Sequence, residues 1–461
     1  MKWQLLVKHR IYIYNTGIGM ERTLVSDSVK KVGEKIKLDG WVNSIRDHGK
    51  ITFLDLRDRT GLVQCVGQNL PAQAGLPKFT AESVVEIEGK VANRPEKLIN
   101  SNFDTGKIEI QIKHIEILSL SDSEFPISMD QYSDNESDQQ IRLDWRFLDL
   151  RHPKKRLIFQ VWTTMEQGFR DYWIKNDYIE IYSPKFMGVP SESGAELFEV
   201  KYFDRKAYLA QSPQFYKQMA MAAGFERVFE IGPVFRANPS FTSRHDTEFT
   251  MYDIEISFIK SHQDVIAEEE KAIVAALSEV KEKYGSQIKN IFGQELIIPK
   301  IPFPQLTMKE AKEILAKLKV PREKEDDLSP EEERKLCDYI MEKEGHEFVY
   351  VTEYPISARP FYHMRLESDA GLTKSFDLLW KGMEITTGAQ REHRLDMLEK
   401  QAKEKGLSLD KIRFYLDFFK YGMPPHGGCA LGPSRMLMKM FNLPNVREVT
   451  YLYRGINRLS P

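Results

Sequence analysis

Between residues 36 and 118 the chain alternates apolar and polar residues with a period of two. The runs are KLDGWVNSI, GKITFLDLRD, LVQCVGQ, SVVEIEGKVA and KIEIQIKHIEILS, separated by turns that carry Gly and Asn. Successive strand side chains point to opposite faces, so this pattern cannot be laid on a helix. Five short strands suit a small closed barrel of the OB type, in which no sheet edge is left open. On the strand pattern alone, a barrel that binds nucleic acid and a purely structural one stand level.

From residue 141 the pattern changes. LIFQVWTTMEQGFRDYWIKN has helical apolar spacing, and YIEIYSPK reads as a strand ending at Pro184. Beyond it, strand signals (AYLAQ, RVFEIGPVFRA, EFTMYDIEISFI, FVYVTEYP, SFDLLW, MEIT) alternate with helical ones. Their spacing is not the regular βαβ spacing of a doubly wound sheet, which favours an antiparallel α+β core. The polar, acidic stretch 121–140 reads as a linker, and the charged stretch 306–345 as a solvated helical insertion. The expected plan is an extension over 1–20, a barrel domain over 21–120, a hinge over 121–150, and a main domain over 151–461. Residues 1–20 are basic and aromatic with no acid before Glu21. They read as a disordered extension, a start placed too early with Met20 as the true one, or a targeting peptide.

The formal charge of −2 and pI near 6.6 give no global attraction to nucleic acid, so any such contact must be local. Cys65, Cys337 and Cys429 are too far apart in sequence to form a ligand-spaced pair. A disulfide framework or zinc site is not expected, and a reducing cytoplasm fits. No apolar run reaches membrane-spanning length.

Several cations fall where elements begin or end. Arg236 follows the strand RVFEIGPVF, Arg244 and His245 come after a short loop, and Arg435 opens the helix RMLMKMF. Fixed cations of this kind grip a polyphosphate, as does a helix N-terminus. Lys217 in QSPQFYK and Arg391 in MEITTGAQR suit a small dianionic substrate. Asp377 and Glu384 flank a turn, and two carboxylates with phosphate oxygens suit Mg²⁺. Taken singly, each of these residues reads better as a surface ion pair.

Taken in order, QSPQFYK, FRANPSFTSRH, MEITTGAQR and GGCALGPSR resemble the motifs of class II aminoacyl-tRNA synthetases. The set is similar to the archaeal and eukaryotic aspartyl-tRNA synthetase family, from about Gly40 to the C-terminus. That resemblance implies an OB-fold anticodon-binding domain and a catalytic domain built on an antiparallel sheet flanked by helices. It implies a cytoplasmic homodimer whose partners are ATP, L-aspartate, Mg²⁺ and tRNA-Asp. Catalysis would rest on Arg236 at the α-phosphate and Arg435 at the γ-phosphate. Asn238, Arg244, His245, Glu384 and Thr387 would serve the nucleotide, and Asp377, Glu384 and Thr387 the metal. Aspartate would meet Glu192 and Gln214 at its ammonium, Lys217 and Arg391 at its β-carboxylate, and His426 in the pocket wall. Phe53 and Gln64 would read the central anticodon base. Asn43 stands just after GWV, where tryptophan accompanies strict and histidine relaxed tRNA recognition, and relaxed charging of tRNA-Asn as well is expected. The segment 157–185 resembles the dimer-forming motif.

The chain departs from that pattern at Asn238, where Glu is usual, and at Thr387, where Ser is usual. Cys429, Ala430, Pro433, Ser434 and the string LYRGINRL also differ. Two alternatives stand beside this reading: an asparaginyl enzyme, which Lys217 opposes, and a catalytically impaired tRNA-binding paralogue, which Asn238 supports.

Overall fold

The strand alternation of residues 36–118 does close on itself in the computed structural model. The structure describes residues 20–49, 51–68, 70, 80–101, 103–130, 136–189, 197–238 and 242–461. The chain divides between Pro126 and Ile127 into two units. In the first, β1 (Lys35–Asp47), β2 (Ile51–Asp58), β3 (Gly61–Gln68), β4 (Val84–Asn93) and β5 (Ile108–Ser119) form a barrel in the order β1-β2-β3-β5-β4. Alternate residues such as Ile36, Leu38, Leu54, Leu56, Val85 and Ile87 fill its interior. A side chain at Gly40 would run into the Arg57 carbonyl, so glycine lets β1 and β2 approach there.

The second unit is built on an eight-stranded sheet and a three-stranded one. The strands are β6 (Ile179–Glu180), β7 (Phe186–Met187), β8 (Glu199–Tyr202), β9 (Arg205–Leu209), β10 (Arg227–Phe235), β11 (Glu248–Ser257), β12 (Gln305–Thr307), β13 (Phe348–Thr352), β14 (Ser375–Trp380), β15 (Glu384–Gln390) and β16 (His426–Leu431). The large sheet runs β12-β13-β14-β15-β16-β11-β10-β6, and β7-β9-β8 form the small one. All neighbours in the large sheet are antiparallel except β12–β13 and β10–β6. The α+β expectation therefore holds.

The helices used below are α1 (Pro153–Lys175), α2 (Gln214–Ala222), α3 (His262–Phe292), α4 (Met308–Lys317), α5 (Pro330–Glu344) and α6 (Pro433–Phe441). The apolar stripes of α1 and α3 share one core with Phe229, Tyr252, Ile254 and Ile256. A capping box at Ser261 and Asp264 starts α3, and Gly293 in the left-handed conformation ends it. Because strand residues alternate, the core-facing Tyr252, Ile254 and Ile256 leave Met251, Asp253 and Glu255 on the opposite face of β11. That face carries the candidate site.

Three expectations need correction. The stretch 306–345 is not a solvated insertion: β12 extends the sheet beside β13, and α4 and α5 bury apolar residues against it. Met308, Leu315, Leu336 and Ile340 pack with Val349, Val351, Tyr354 and Leu379. Most charges of this stretch, the buried Glu332 and Glu333 apart, occupy the outer helix faces and masked the apolar stripe. Second, the hinge expected through 150 is folded in its latter half. Arg142, Arg146 and Asp149 are buried, and Arg142 and Lys155 each hold the Glu448 carboxylate at 2.8 Å. These two cations outweigh burial and keep Glu448 well below the usual carboxylate range. Third, YIEIYSPK forms only the two-residue strand β6, because only Ile179 and Glu180 find ladder partners, on β10. Residues 1–19 lie outside the described residues.

The buried stripe generates a stability prediction. Leu336 is fully buried between α5 and the sheet. Leu336→Ala is expected to lower unfolding free energy by about 2–4 kcal/mol through lost burial and the cavity left behind. Denaturant titration checks this, and a loss below about 0.5 kcal/mol, the scale of surface changes, would restore the solvated reading.

Candidate active site

A cavity of about 290 Å³ opens on the site face of β11, β15 and β16. Among its walls are Arg236, Arg244, His245 and Arg435, the four residues expected to serve phosphates. Arg236 directly follows β10, its guanidinium 5.5 Å from the Phe249 ring centroid and its Nε 3.5 Å from the Gln211 carbonyl. Arg435, in the first turn of α6, donates to the Glu384 carbonyl at 2.9 Å and pairs with its carboxylate at 3.2 Å. One guanidinium nitrogen of Arg244 donates to both carboxylate oxygens of Glu333 of α5, at 3.0 and 2.9 Å. The same carboxylate accepts the Glu384 backbone N–H at 3.2 Å. His245 hydrogen-bonds Thr242; burial, and then the charges of Arg435 and Arg244, push its pKa down to about 4. It is a neutral polar group at pH 7.

The three expected metal ligands do converge. Asp377 on β14 stands opposite Thr387 on β15, and the Thr387 hydroxyl donates to Glu384 Oε1 at 3.1 Å. Burial pushes Asp377 up, and the charge of Glu384 adds to the rise. For Glu384, burial is outweighed by Arg435 and then Arg359, which hold it low. Asp377 Oδ2 accepts from Arg359 at 2.7 Å, while its Oδ1 is buried without a partner. Among the described residues no three His, Cys, Asp or Glu side chains form a complete metal cage. Two carboxylates and a hydroxyl with a spare buried oxygen fit Mg²⁺, which takes its other ligands from phosphates and water.

At the amino-acid residues the structure both keeps and corrects the reading. Arg391 lines the cavity, with Nε 3.0 Å from Glu255 Oε1 and NH2 2.9 Å from the Gly428 carbonyl. Lys217 does not line it. It is fully buried on α2 and pairs with Asp253 at 2.8 Å and Glu255 at 3.4 Å. An ammonium buried without a counter-charge is very costly, and these two acids neutralise it. Burial pushes Asp253 up. For Glu255, burial is outweighed by Arg391 and then Lys217, which hold it down.

His426 is likewise not in the cavity wall. It is a core residue, 2.8 Å from both the Pro424 carbonyl and Gln218 Nε2, and burial pushes it down to about 4. The histidine beside Arg391 in the cavity wall is His363, whose Nε2 accepts from Arg391 at 3.0 Å and whose Nδ1 is buried without a partner. Gln214 lines the cavity with its Nε2 buried and unpartnered, and Asn238 lines it too. Glu192 lies outside the described residues.

On the barrel, Phe53 is half-buried and edge-on to His48, with ring centroids 5.7 Å apart. It faces Val66, while Gln64 faces Asp55, so Phe53 and Gln64 share one side of the β2–β3 pair. Gln64 is buried and its Oε1 accepts from Arg94 at 2.6 Å. Asn43 sits at a bulge in β1 and accepts from Arg57, which also grips Glu82.

The sequence reading missed Asp246, Asp253, Glu255, Glu333, Arg359 and His363. The pair in YDIEI was findable, since acids two apart on a strand share a face. Glu333 is one of three consecutive glutamates, and Arg359 and His363 lie off any periodic element, so nothing marked them.

Asp246 yields a test that is independent of function. Burial pushes its carboxyl up to about 7, partly offset by the Thr450 hydroxyl 3.0 Å away. The unfolded chain releases that proton near pH 4. From there to about 7 the folded state holds more protons, so stability falls as pH rises through this window. Asp246→Asn is expected to raise Tm at pH 8 and to converge with the parent protein near pH 4. Thermal melts at both pH values check it; an equal offset at both would overturn it.

The geometry agrees with what the chain is similar to. Residues 138–454 match the model for tRNA synthetases class II (D, K and N), and residues 36–118 match that for the OB-fold nucleic acid binding domain. The chain is 39% identical to the aspartate–tRNA(Asp) ligase of Pyrococcus abyssi, covering 93% of this chain and 97% of that one. It is 41% identical to the aspartate–tRNA(Asp/Asn) ligase of Methanopyrus kandleri, covering 93% and 96%. Its fold matches the crystal structure of asparaginyl-tRNA synthetase from Pyrococcus horikoshii with asparaginyl-adenylate, at TM-score 0.86 and 30% identity over 96% of this chain and 100% of that one. The chain belongs to the class II tRNA synthetases of the D, K and N group.

Proposed function

We propose that this chain is an aspartate–tRNA ligase. The observation that carries the reading is one cavity that presents Arg236, Arg244 and Arg435 together with the buried Arg391. The first three suit a nucleotide triphosphate and Arg391 suits a substrate carboxylate. An oxygen of the aspartate α-carboxylate attacks the α-phosphorus of ATP. The bond to the bridging oxygen breaks, and diphosphate leaves with the electron pair. A terminal ribose hydroxyl of tRNA then attacks the adenylate carbonyl, releasing AMP.

No side chain of this cavity need act as a covalent nucleophile. Arg236 would stabilise charge on the α-phosphate and Arg435 charge on the leaving diphosphate, with Phe249 and the neutral His245 in the same cavity wall. Mg²⁺ on Asp377, Glu384 and Thr387 would withdraw charge from the phosphate oxygens. Gln214 offers its unpartnered amide to the amino acid. Arg391 grips the β-carboxylate, and Lys217 acts through Asp253 and Glu255 by fixing their positions. Asparagine would present a neutral amide to that guanidinium and bind less well.

We also read the chain as a cytoplasmic homodimer. The exposed apolar side chains Ile174, Ile179 and Tyr182, on and beside the edge strand β6 in sequence, support a second copy there. The free, buried thiols Cys65, Cys337 and Cys429 support a reducing compartment. No described helix is long and apolar enough to cross a membrane.

Aspartate-dependent exchange between ATP and diphosphate, with asparagine as the control, tests the central reading. Arg391→Lys keeps the charge beside Glu255 but loses the fork. It is expected to fold and to lose aspartate-dependent exchange by about a hundredfold, roughly 2.7 kcal/mol. Near-normal exchange in the folded variant would remove Arg391 from the substrate site.

The tRNA choice is tested separately. Asn43 is small and engaged with Arg57, which leaves less bulk to exclude a wrong base. Both tRNA-Asp and tRNA-Asn transcripts are expected to be charged within about tenfold of each other, 1.4 kcal/mol. A preference for tRNA-Asp of several hundredfold, about 3–4 kcal/mol, would establish strict charging.

A further inference from the structure

The three-stranded sheet ends in a hairpin that the chemistry above leaves unused. Strands β8 and β9 meet at Tyr202 and Arg205, which pair across a two-residue turn of Phe203 and Asp204. Phe203 has a φ of 54°. Left-handed backbone is strained for a residue with a side chain, and hairpin turns that need it favour glycine. The chain keeps a phenylalanine there, with 80% of its surface exposed. So little burial does not account for a bulky ring in a strained place.

Two further rings adjoin it. Phe203 stands edge-on to Tyr202 with centroids 4.9 Å apart, and Tyr202 lies 5.6 Å from Phe186 of β7. Tyr202 and Phe186 are 41% and 56% exposed. Arg205 stands opposite Tyr202 and shares its face, while Lys201 and Lys206 pair on the other. Lys206 has Glu199 at 2.8 Å, but Arg205 only approaches Asp204 at 3.8 Å. The exposed Lys201 makes no ion pair among the described residues. Open aromatic rings beside surplus positive charge are what hold unpaired bases and their phosphates.

The hairpin is joined to the cavity rim. β9 leads through Ala210 and Gln211 into Ser212 and Gln214, which line the central cavity. The Ala210 N–H donates to the Lys185 carbonyl and its own carbonyl accepts from Phe235, beside Arg236, both at 2.9 Å. At about 3.3 Å per residue β9 holds the tip about 13 Å from Leu209, a span that a few stacked nucleotides at about 3.4 Å each cover. A second copy of the chain is the competing occupant. The three rings expose roughly 250–450 Å² between them, at 150–250 Å² for a whole aromatic side chain. Each partner in a standard protein interface buries ~800 Å², so the patch suits a base or two better than a subunit. We propose that Phe203, with Tyr202 and Phe186, stacks unpaired nucleotides of the tRNA 3′ end on their way to the cavity, while Lys201 and Arg205 meet their phosphates. This rests on the aspartate–tRNA ligase reading, which brings such an end to the cavity.

The test uses the full chain with Phe203→Gly and Phe203→Trp, and tRNA-Asp transcripts with and without their unpaired 3′ nucleotides. Glycine suits the turn, so Phe203→Gly is expected to fold and to melt no lower than the parent protein. It is expected to bind the intact transcript about tenfold more weakly, the scale of one lost base–aromatic stack, and to raise the KM for tRNA alike. The truncated transcript should lose far less. Aspartate-dependent exchange between ATP and diphosphate, a step without tRNA, should not change. Phe203→Trp should keep most of the binding. Unchanged binding of the intact transcript in Phe203→Gly would overturn the proposal. So would an equal loss for both transcripts, which would place the contact elsewhere on the tRNA. A change of oligomeric state in sedimentation would overturn it too, by giving the rings to a second copy. If Phe203→Gly does not fold, Phe203→Asn carries the comparison, because Asn tolerates left-handed backbone. Absence of aspartate-dependent exchange in the parent protein would instead overturn the ligase reading, and transcript binding would still report on the hairpin.

Discussion

Two buried cations and two buried carboxylates hold the centre of the second unit together. Lys217 comes from α2, Asp253 and Glu255 from β11, and Arg391 from the end of β15. Their charges balance, which is the condition for keeping four ionised groups out of water. Gly428 on β16 completes the arrangement: a side chain there would collide with Glu255 and with the Ile254 carbonyl. With glycine in place, Arg391 reaches both Glu255 and the Gly428 carbonyl. The helix, the strands and the cavity wall are thus fixed by one set of mutually dependent contacts. Loss of either cation leaves a buried carboxylate short of a partner, so fold and substrate recognition share the same residues.

The phosphate side is organised differently. Arg244 rests on Glu333 and Arg435 on Glu384, while Arg236 lies over Phe249. A phosphate entering here competes with side chains already in position, so little reorganisation remains for the moment of reaction. It also explains why α5 belongs to the site. Its buried Glu333 orients an arginine through one carboxylate and accepts the Glu384 backbone N–H with the same group. The helix that looks like surface decoration in the sequence therefore positions two functional residues.

What the sequence makes legible follows from periodicity. The barrel strands repeat every two residues, and the strand-like strings RVFEIGPVF and EITTGAQ lead directly into Arg236 and Arg391, which line the cavity as expected. Depth is the part that periodicity does not carry. Lys217 and His426 sit on the expected elements but one layer too deep, behind Asp253 and Gln218. His363 takes the place in the cavity wall because the loop bearing it pairs with Arg391, a contact with no signature in a linear string. The stretch 306–345 failed for a related reason: charge density along the chain hid an apolar stripe that only the helical fold makes continuous.

Asn238 is the residue on which a catalytically impaired reading leans, since an amide replaces an acid there. The amide removes one charge, but the cavity keeps a carboxyl in its lining. Asp246 lines the same cavity, and both Asp246 and Asn238 also line a smaller adjoining one. One Asp246 oxygen accepts from Thr450 and the other is buried without a partner. A buried acceptor with a free lone pair is stabilised by a donor from a ligand, such as a ribose hydroxyl or a base amine. The substitution at 238 therefore leaves the cavity both its phosphate cations and an unsatisfied acceptor, the features a nucleotide needs.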